Sequence, residues 1–567
     1  STVNEAASWD HGTDKITANL PLGGFKDMSK EEIRAYSVRN QLNFTHTFAD
    51  VHDVNVIVGT EINERVKQTT VSPRTYGYDD DRLTVGLFPN GATGTKNWMG
   101  WNQTFSYTNS FTYVTDRYFS LFGNLSYTYD GKYTVSGSVR TDASNLITDD
   151  PKYRYAPFWS VGMGWQIGKE NFMKNIEWVD RLNIRATYGY NGNVDKSTSF
   201  RPLIDVSATQ NPYTHEITSN VSSFGNPSLR WEKTGTWDIG VDYSFLGSKL
   251  HGKLDVYSKL GKDLITSMTI PAVNGTTTQK LNSAKMTNRG FELEVGSSLP
   301  ILGSDIVWTG NLNFSYNKNN IKSLYKATYR ASELYKGGTS AYVEGHDANT
   351  LWAFRYAGVV NKGTENDPNL QPVVQGVGDE VYDFTAWTPG DAREYMRDMG
   401  TKVAPYTLGF SNTFKIFDFD FSFIITGKFG HKFQRCSFNY PSMTSGSALP
   451  NKMYKEVLES DPMKVVPIPF DKEEPRYYFW DRFYPYLDYL VESASHVRIQ
   501  EVNITYNMPS RWLSKIGISS FQIYAQGNNL YTFVKNKYGE DPDYPTNMNG
   551  GTIRPRASYT LGLKFNF

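Results

Sequence analysis

Apolar and polar residues alternate with a period of two along most of this chain. At its end, Tyr559, Leu561, Leu563, Phe565 and Phe567 alternate with Thr560, Gly562, Lys564 and Asn566. Successive strand side chains point to opposite faces, so this segment separates an apolar surrounding from a wet one. Phe119, Leu121, Leu125, Tyr127 and Tyr129 repeat the pattern, Asp130-Gly131 supplies a tight turn, and Tyr133, Val135 and Val139 resume it. Trp237 to Phe245, Ile306 to Tyr316 and Phe417 to Ile425 do the same. About sixteen such segments are predicted, near residues 34–48, 53–66, 104–115, 117–129, 131–143, 154–166, 181–192, 232–246, 249–261, 280–298, 305–317, 404–415, 417–429, 493–507, 519–531 and 556–567. In 493–507 the apolar phase switches from odd (Val497, Ile499) to even (Val502, Ile504, Tyr506), which predicts a β-bulge near Gln500-Glu501.

The connections between these segments are unequal. Some are a few residues long; others, about 67–103, 193–231, 318–403, 430–492 and 532–555, are long and rich in rings and polar groups. Helix is expected only in short pieces, at 170–175 and 452–459.

Two architectures share this alternation. A sandwich buries its apolar face on a second sheet, whereas a transmembrane β-barrel turns it to lipid. Three features favour the barrel. Rings gather at strand ends, short turns alternate with long loops, and the polar faces carry Glu292, Glu294, Asp238, Asp242 and Arg140, too many charges for a dry core. An alternating strand ending on Phe567 has the form of an outer-membrane assembly signal, carried by Tyr559, Leu561, Leu563, Phe565 and Phe567; otherwise it is an ordinary last strand. The expected fold class is therefore all-β, a transmembrane antiparallel β-barrel.

Composition narrows the function. The 567 residues carry 58 Lys+Arg against 58 Asp+Glu, so no net positive field would concentrate a nucleic acid. The lone Cys436 excludes an internal disulfide framework or a multi-cysteine zinc site. No run of about twenty apolar residues could form a membrane helix, and no secretory leader is evident. The first residues, STVNEAASWD, lack Met and read as a processed product or a fragment.

Catalytic motifs are missing. There is no GxSxG, HExxH or P-loop, and GMGWQIG at 162–168 sits in a strand with no helix after it. Glu292/Glu294 could imitate a glycosidase pair, but a solvated wall explains them better. The chain is expected to be no enzyme and to hold no cofactor or metal. Rings in the long loops are the candidate binding groups: Tyr76, Tyr78, Trp98, Trp101, Tyr342, Trp352, Tyr478, Trp480, Tyr484 and Tyr486, with Arg482 on the polar rim. Sugars present apolar C–H faces and polar edges, which such platforms suit, and peptides could use the same surface. The plainer alternative is that these rings pack loops together or touch a partner protein.

Several segments together resemble one family. VRTDASN (139–145) followed by RYAPFWSVGMGWQIGKENFM (154–173) is similar to a signature of the SusC/RagA-like TonB-dependent transporters of Bacteroidota. LNIRATYGYNGN (182–193), GNPSLRWEKTGTWDIGVDY (225–243), MTNRGFELEV (286–295), WTGNLNFSYNKNNI (308–321), HVRIQEVNITYNMP (496–509) and QIYAQGNNLYTFVKNKYGEDPDYP (522–545) resemble others, in order, over about 33–567. The resemblance implies a 22-stranded barrel around an N-terminal plug. With about sixteen strands here, the remaining strands and the plug are expected upstream, residues 1–32 continuing a barrel already begun. One departure is TPGDAREYMRDMGTKVAPYTLGF (388–410), which keeps Pro389-Gly390-Asp391 but lacks the acidic Gly/Asn-rich loop common in the family.

By this resemblance the protein imports a large nutrient, an oligosaccharide before a peptide, across the outer membrane. TonB would drive it through the missing N-terminal region, and a SusD-like surface lipoprotein would cap it. A passive porin-like or adhesin-like barrel and a secreted carbohydrate-binding or carbohydrate-cleaving β protein are the alternatives.

Overall fold

A strand with one apolar and one wet face can satisfy its backbone only by pairing edge to edge, and hairpin-linked strands pair with their neighbours first. The computed structural model describes residues 7–10, 12–18, 21, 23–86, 95–96, 102–103, 110–148, 150–196, 198–211, 213–383, 390–435, 482–513, 517–547, 550–551 and 554–566. Fifteen strands form one antiparallel sheet in strict chain order. They are β1 (Ser29–Phe48), β2 (His52–Val71), β3 (Ser110–Tyr129), β4 (Tyr133–Ser144) and β5 (Ala156–Gln166). Next come β6 (Val179–Asn193), β7 (Glu232–Phe245), β8 (Leu250–Thr269), β9 (Thr278–Leu302) and β10 (Ile306–Ser323). The last are β11 (Tyr406–Ile416), β12 (Phe419–Phe429), β13 (His496–Asn507), β14 (Ser520–Val534) and β15 (Ser558–Asn566). Among the described residues β1 and β15 remain the two edges of the sheet.

Register makes one face continuously apolar. Val241 lies opposite Leu254, Leu254 opposite Leu293, and Leu293 opposite Phe314, while Ile239, Val256, Phe291 and Tyr316 make the adjacent row. At the end of the sheet Phe521, Ile523 and Ala525 face Phe565, Leu563 and Leu561. Leu561 is 78% and Leu563 61% exposed, so no second sheet covers this face. That excludes a sandwich and leaves lipid as the surrounding such a surface requires. Rings mark both borders. His52, Tyr129, Tyr133 and Trp165 run side by side at the short-turn end, their centroids 5.2, 6.5 and 6.5 Å apart. Phe291, Tyr316 and Tyr406 do so toward the other end, 6.0 and 4.9 Å apart.

The opposite face is wet and its charges are paired across strands. Arg185 of β6 lies 3.4 Å from both Asp238 and Asp242 of β7 and bonds Asp255 of β8. Arg140 joins Asp142 at 2.8 Å and donates to Ser120 Oγ at 2.7 Å, and Lys253 meets Glu294 at 3.4 Å. Such groups need partners and water, which a lumen provides.

Of the seven connections at one end, five are two to four residues long, at 49–51, 130–132, 246–249, 303–305 and 417–418, and two, 167–178 and 508–519, have twelve. Left-handed residues tighten the short ones, Asp130 and Gly131 (φ 51° and 59°) among them. The five long predicted loops all leave the other end, at 72–109, 194–231, 324–405, 430–495 and 535–557, together with shorter ones at 145–155 and 270–277. Strands generally run further into this end than their alternation indicates. Above a membrane both faces meet water, so the ladder continues after the apolar rhythm stops; β2 reads Glu64, Val66, Gln68 and Thr70 on its outward side there. The two segments expected at 104–115 and 117–129 are accordingly one strand, Ser110–Tyr129, with 104–109 outside the described residues. Gln500 is the predicted bulge: Ile425 pairs Ile499 while Ile424 pairs Glu501. No helix of the described residues is long and apolar enough to cross a membrane, which says nothing of crossing by strands.

Leu563 and Lys564 test the facing. Leu563→Arg is expected to cost about 2–4 kcal/mol if it lies near the membrane midplane, measured as folded yield or urea stability in lipid. Lys564→Leu should be tolerated; the reverse ranking would mean that the faces are inverted.

Candidate functional site

The loops at the long end need a core of their own, because the wall offers lipid outside and water inside. Residues 324–405 and 482–490 build it: Tyr329, Leu334, Trp352, Phe354, Val374, Tyr395, Phe483, Tyr484 and Leu487 pack together, buried. The helix Ala331–Lys336 turns Ala331 and Leu334 inward, three residues apart. The strand Thr350–Phe354 is buried throughout and pairs with Met396–Thr401. Phe354 is the centre, 4.9 Å from Phe483 and 6.3 Å from Tyr395 by ring centroid.

The candidate rings separate on this geometry. Trp352 and Tyr484 are 4% and 1% exposed, so they serve the core and have no face left for a ligand in this arrangement. Tyr76 is likewise buried, edge-on to Phe25 at 5.3 Å in a small sheet formed by Gly24–Lys26 and Thr75–Tyr78. Tyr78 lies under Lys26 at 4.5 Å and donates to Asp80 at 3.0 Å. Tyr342 is half-buried and its carbonyl accepts the Tyr329 hydroxyl. Tyr486 is half-buried and stacks on Tyr335, 3.8 Å apart and 19° from parallel. Arg482 is exposed at the rim of the same segment. Trp98, Trp101, Tyr478 and Trp480 lie outside the described residues, as does Phe567.

Two features escaped the sequence reading. Tyr335 pairs with Tyr486, and Tyr356 meets Tyr489 edge-on at 5.5 Å; both pairs lie against the loop core. The helical spacing of Ala331, Leu334 and Tyr335 was the available signal for the first. A polar cleft of about 300 Å³ is lined by Arg355, Arg397, Asp379 and Glu394, from three stretches of the 324–405 loop.

Electrostatics hold these loops to the wall. Tyr329 has Lys326 at 4.4 Å and Arg393 at 4.9 Å from its ring; burial outweighs the pull of Arg393 and pushes its hydroxyl up to about 12. Asp391, the kept acid of the Pro-Gly-Asp turn, caps the turn Ala392–Glu394 by accepting from the Arg393 backbone at 3.0 Å. Burial pushes its carboxyl up, but Arg393 outweighs this and holds it below the usual range. At the ends of β12–β14 a second network forms. Arg498 donates to both oxygens of Asp541 at 3.0 Å and reaches Asp543 at 3.2 Å. Lys428 binds Asp543 at 2.9 Å, while Arg435 binds Glu540 at 3.0 Å and covers Tyr538 at 3.4 Å. Buried His431 lies 6.0 Å from His496 by ring centroid; burial, with His496 and Lys428 nearby, lowers it to about 4. No group of three His, Cys, Asp or Glu that could hold a metal ion occurs among the described residues.

A wall of this construction with long loops at one end defines a receptor-type barrel of the outer membrane. Residues 2–423 match the family described as TonB dependent receptor-like, beta-barrel, and the chain belongs to that family. TonB-dependent receptor P26 of Formosa agariphila is 24% identical over 97% of this chain and 55% of its own length. TonB-dependent receptor SusC of Bacteroides thetaiotaomicron is 25% identical over 79% of this chain and 43% of its own length. The chain therefore spans about half the length of the curated relatives it matches. In fold it superposes on a solved chain of the RagAB peptide transporter with a TM-score of 0.72, at 20% identity, over 96% of this chain and 56% of that one.

The His431 pocket carries a pH prediction. A histidine held at about 4 when folded and near 6.5 when unfolded contributes stability above 6.5 that is lost as pH falls toward 4. Protection factors in 430–435 and 535–547, which correct for the base-catalysed intrinsic exchange rate, should therefore fall between pH 7 and 5, and His431→Gln should flatten that dependence. Identical profiles in both proteins would contradict the assignment.

Proposed function

We propose that this chain forms part of the wall and mouth of an active importer of a large polar nutrient, with an oligosaccharide as the first reading. One observation carries it. Beside a wet, charge-paired lumen face, the loops present the Tyr335/Tyr486 pair half-buried against a fixed apolar core. A partly exposed ring held in place suits the C–H face of a sugar, and little ordering entropy is then lost on binding. The likeness to SusC supports energisation through TonB and a SusD-like lipoprotein closing over the loop end. The bare edges of β1 and β15 could not persist in lipid, which supports further strands closing the wall around a plug.

A peptide is the second reading, on a separate observation. The cleft of Arg355, Arg397, Asp379 and Glu394 offers charges of both signs, as termini and side chains of a peptide would need, and the RagAB complex is named a peptide transporter.

Calorimetry on the full-length protein with its co-purifying lipoprotein separates the two, using panels of neutral oligosaccharides and of mixed peptides. Tyr486→Ala should weaken oligosaccharide binding by about two- to tenfold, and Arg355→Ala with Arg397→Ala should leave it unchanged. Binding of peptides alone, abolished by the arginine pair and indifferent to Tyr486→Ala, would replace the first reading with the second.

A further inference from the structure

The outward face of β7–β10 ends in an arrangement that the wall alone does not explain. Rising from the short-turn end, the same-face positions of these strands carry no Asp or Glu. They reach a row of rings, Trp237, Phe291 and Tyr316. The next same-face residues toward the loops on β9 and β10 are Arg289 and Lys318. These two are direct cross-strand partners, and both are exposed. Beside them Lys233 of β7 directly faces Lys262 of β8.

Like charges placed opposite one another across a ladder destabilise it. Elsewhere on the outward face the corresponding problem is solved internally: Arg117 of β3 binds Glu64 of β2 at 2.6 Å. Arg289 and Lys318 have no such counter-charge among the described residues. They instead top a groove of about 560 Å³ whose walls include Trp237, Val256, Phe291 and Tyr316. The height is also informative. Arg289 stands ten positions above Leu299, the last apolar same-face residue of β9 before its register shift at Pro300/Leu302. At strand rise and barrel tilt that is about 25 Å, the height of the apolar band. The cations therefore sit where outer-leaflet headgroups begin, and the groove lies among acyl chains.

We propose that this face of β7–β10 binds the phosphorylated headgroup of an outer-leaflet lipid, with Arg289 and Lys318 on phosphate and an acyl chain in the groove beneath. Phosphate fits the guanidinium fork and the ammonium better than a lone carboxylate does, and it neutralises both cations together. A soluble anion would make no use of the apolar walls below.

Native mass spectrometry tests this on the full-length protein, delipidated in mild detergent and titrated with diphosphorylated lipid A or with phosphatidylethanolamine. The wild type should hold lipid A at least about tenfold more tightly than phosphatidylethanolamine. Arg289→Gln with Lys318→Gln should lose most of that preference, while the lumen-facing control Lys253→Gln should keep it. Heat-modifiable migration on gels confirms that each variant remains a folded barrel. Equal affinity of the wild type for both lipids would overturn the proposal, as would an undiminished preference in the double variant. Displacement of lipid A by an equal concentration of inorganic phosphate would also overturn it, since the site would then be one for a free anion.

Discussion

In hydrocarbon every strand N–H and C=O must find its partner within the protein, and this requirement governs the rest of the structure. It explains why fifteen strands pair only with their chain neighbours, and why five of the turns at one end use left-handed residues to reverse within a few positions. Once pairing is fixed, the pleat assigns each side chain to lipid or to water. Leu254, Leu293 and Phe314 fall on one side, and Arg185 with its three aspartates falls on the other. A one-residue slip would exchange these sets, so register is held by both surroundings at once.

The loop end obeys different physics. Water surrounds it, so its order comes from an apolar core of its own around Phe354 and from buried ion pairs that tie 535–547 to the strand ends. Arg498 and Asp541 are nearly inaccessible, and each has several partners there. Breaking one partner of such a network leaves a buried charge behind, which makes it a strong anchor even where its net stabilisation is small. Anchored loops hold partly exposed rings, such as Tyr486 on Tyr335, in fixed positions against the loop core.

This division also explains what the sequence disclosed. Alternation is imposed by lipid, so the wall was legible where lipid touches it: the hairpin at Asp130-Gly131, the bulge at Gln500 and the outward row of β15 were all readable from phase alone. It faded above the membrane, where β2 and β9 continue as strands with polar residues on both faces, and where two expected segments proved to be one. The site was less legible. Ring density marked loops that fold around a common core but not which rings that core would bury. Trp352 and Tyr484 are as aromatic as Tyr486, and only the fold of a core assembled from distant segments distinguishes them. The cleft of Arg355 and Arg397 with Asp379 and Glu394 depends on the same long-range contacts, to which local pattern is blind.

The most direct measurement is solvent accessibility along β9 in reconstituted membranes, by single spin labels at positions 291–295 in a protein with Cys436 replaced by Ser. The account predicts a period of two. Labels at Phe291, Leu293 and Val295 should collide with oxygen dissolved in lipid, and those at Glu292 and Glu294 with a water-soluble nickel complex. Uniform access to nickel, or the opposite phase, would contradict a wall that separates lipid from a wet lumen.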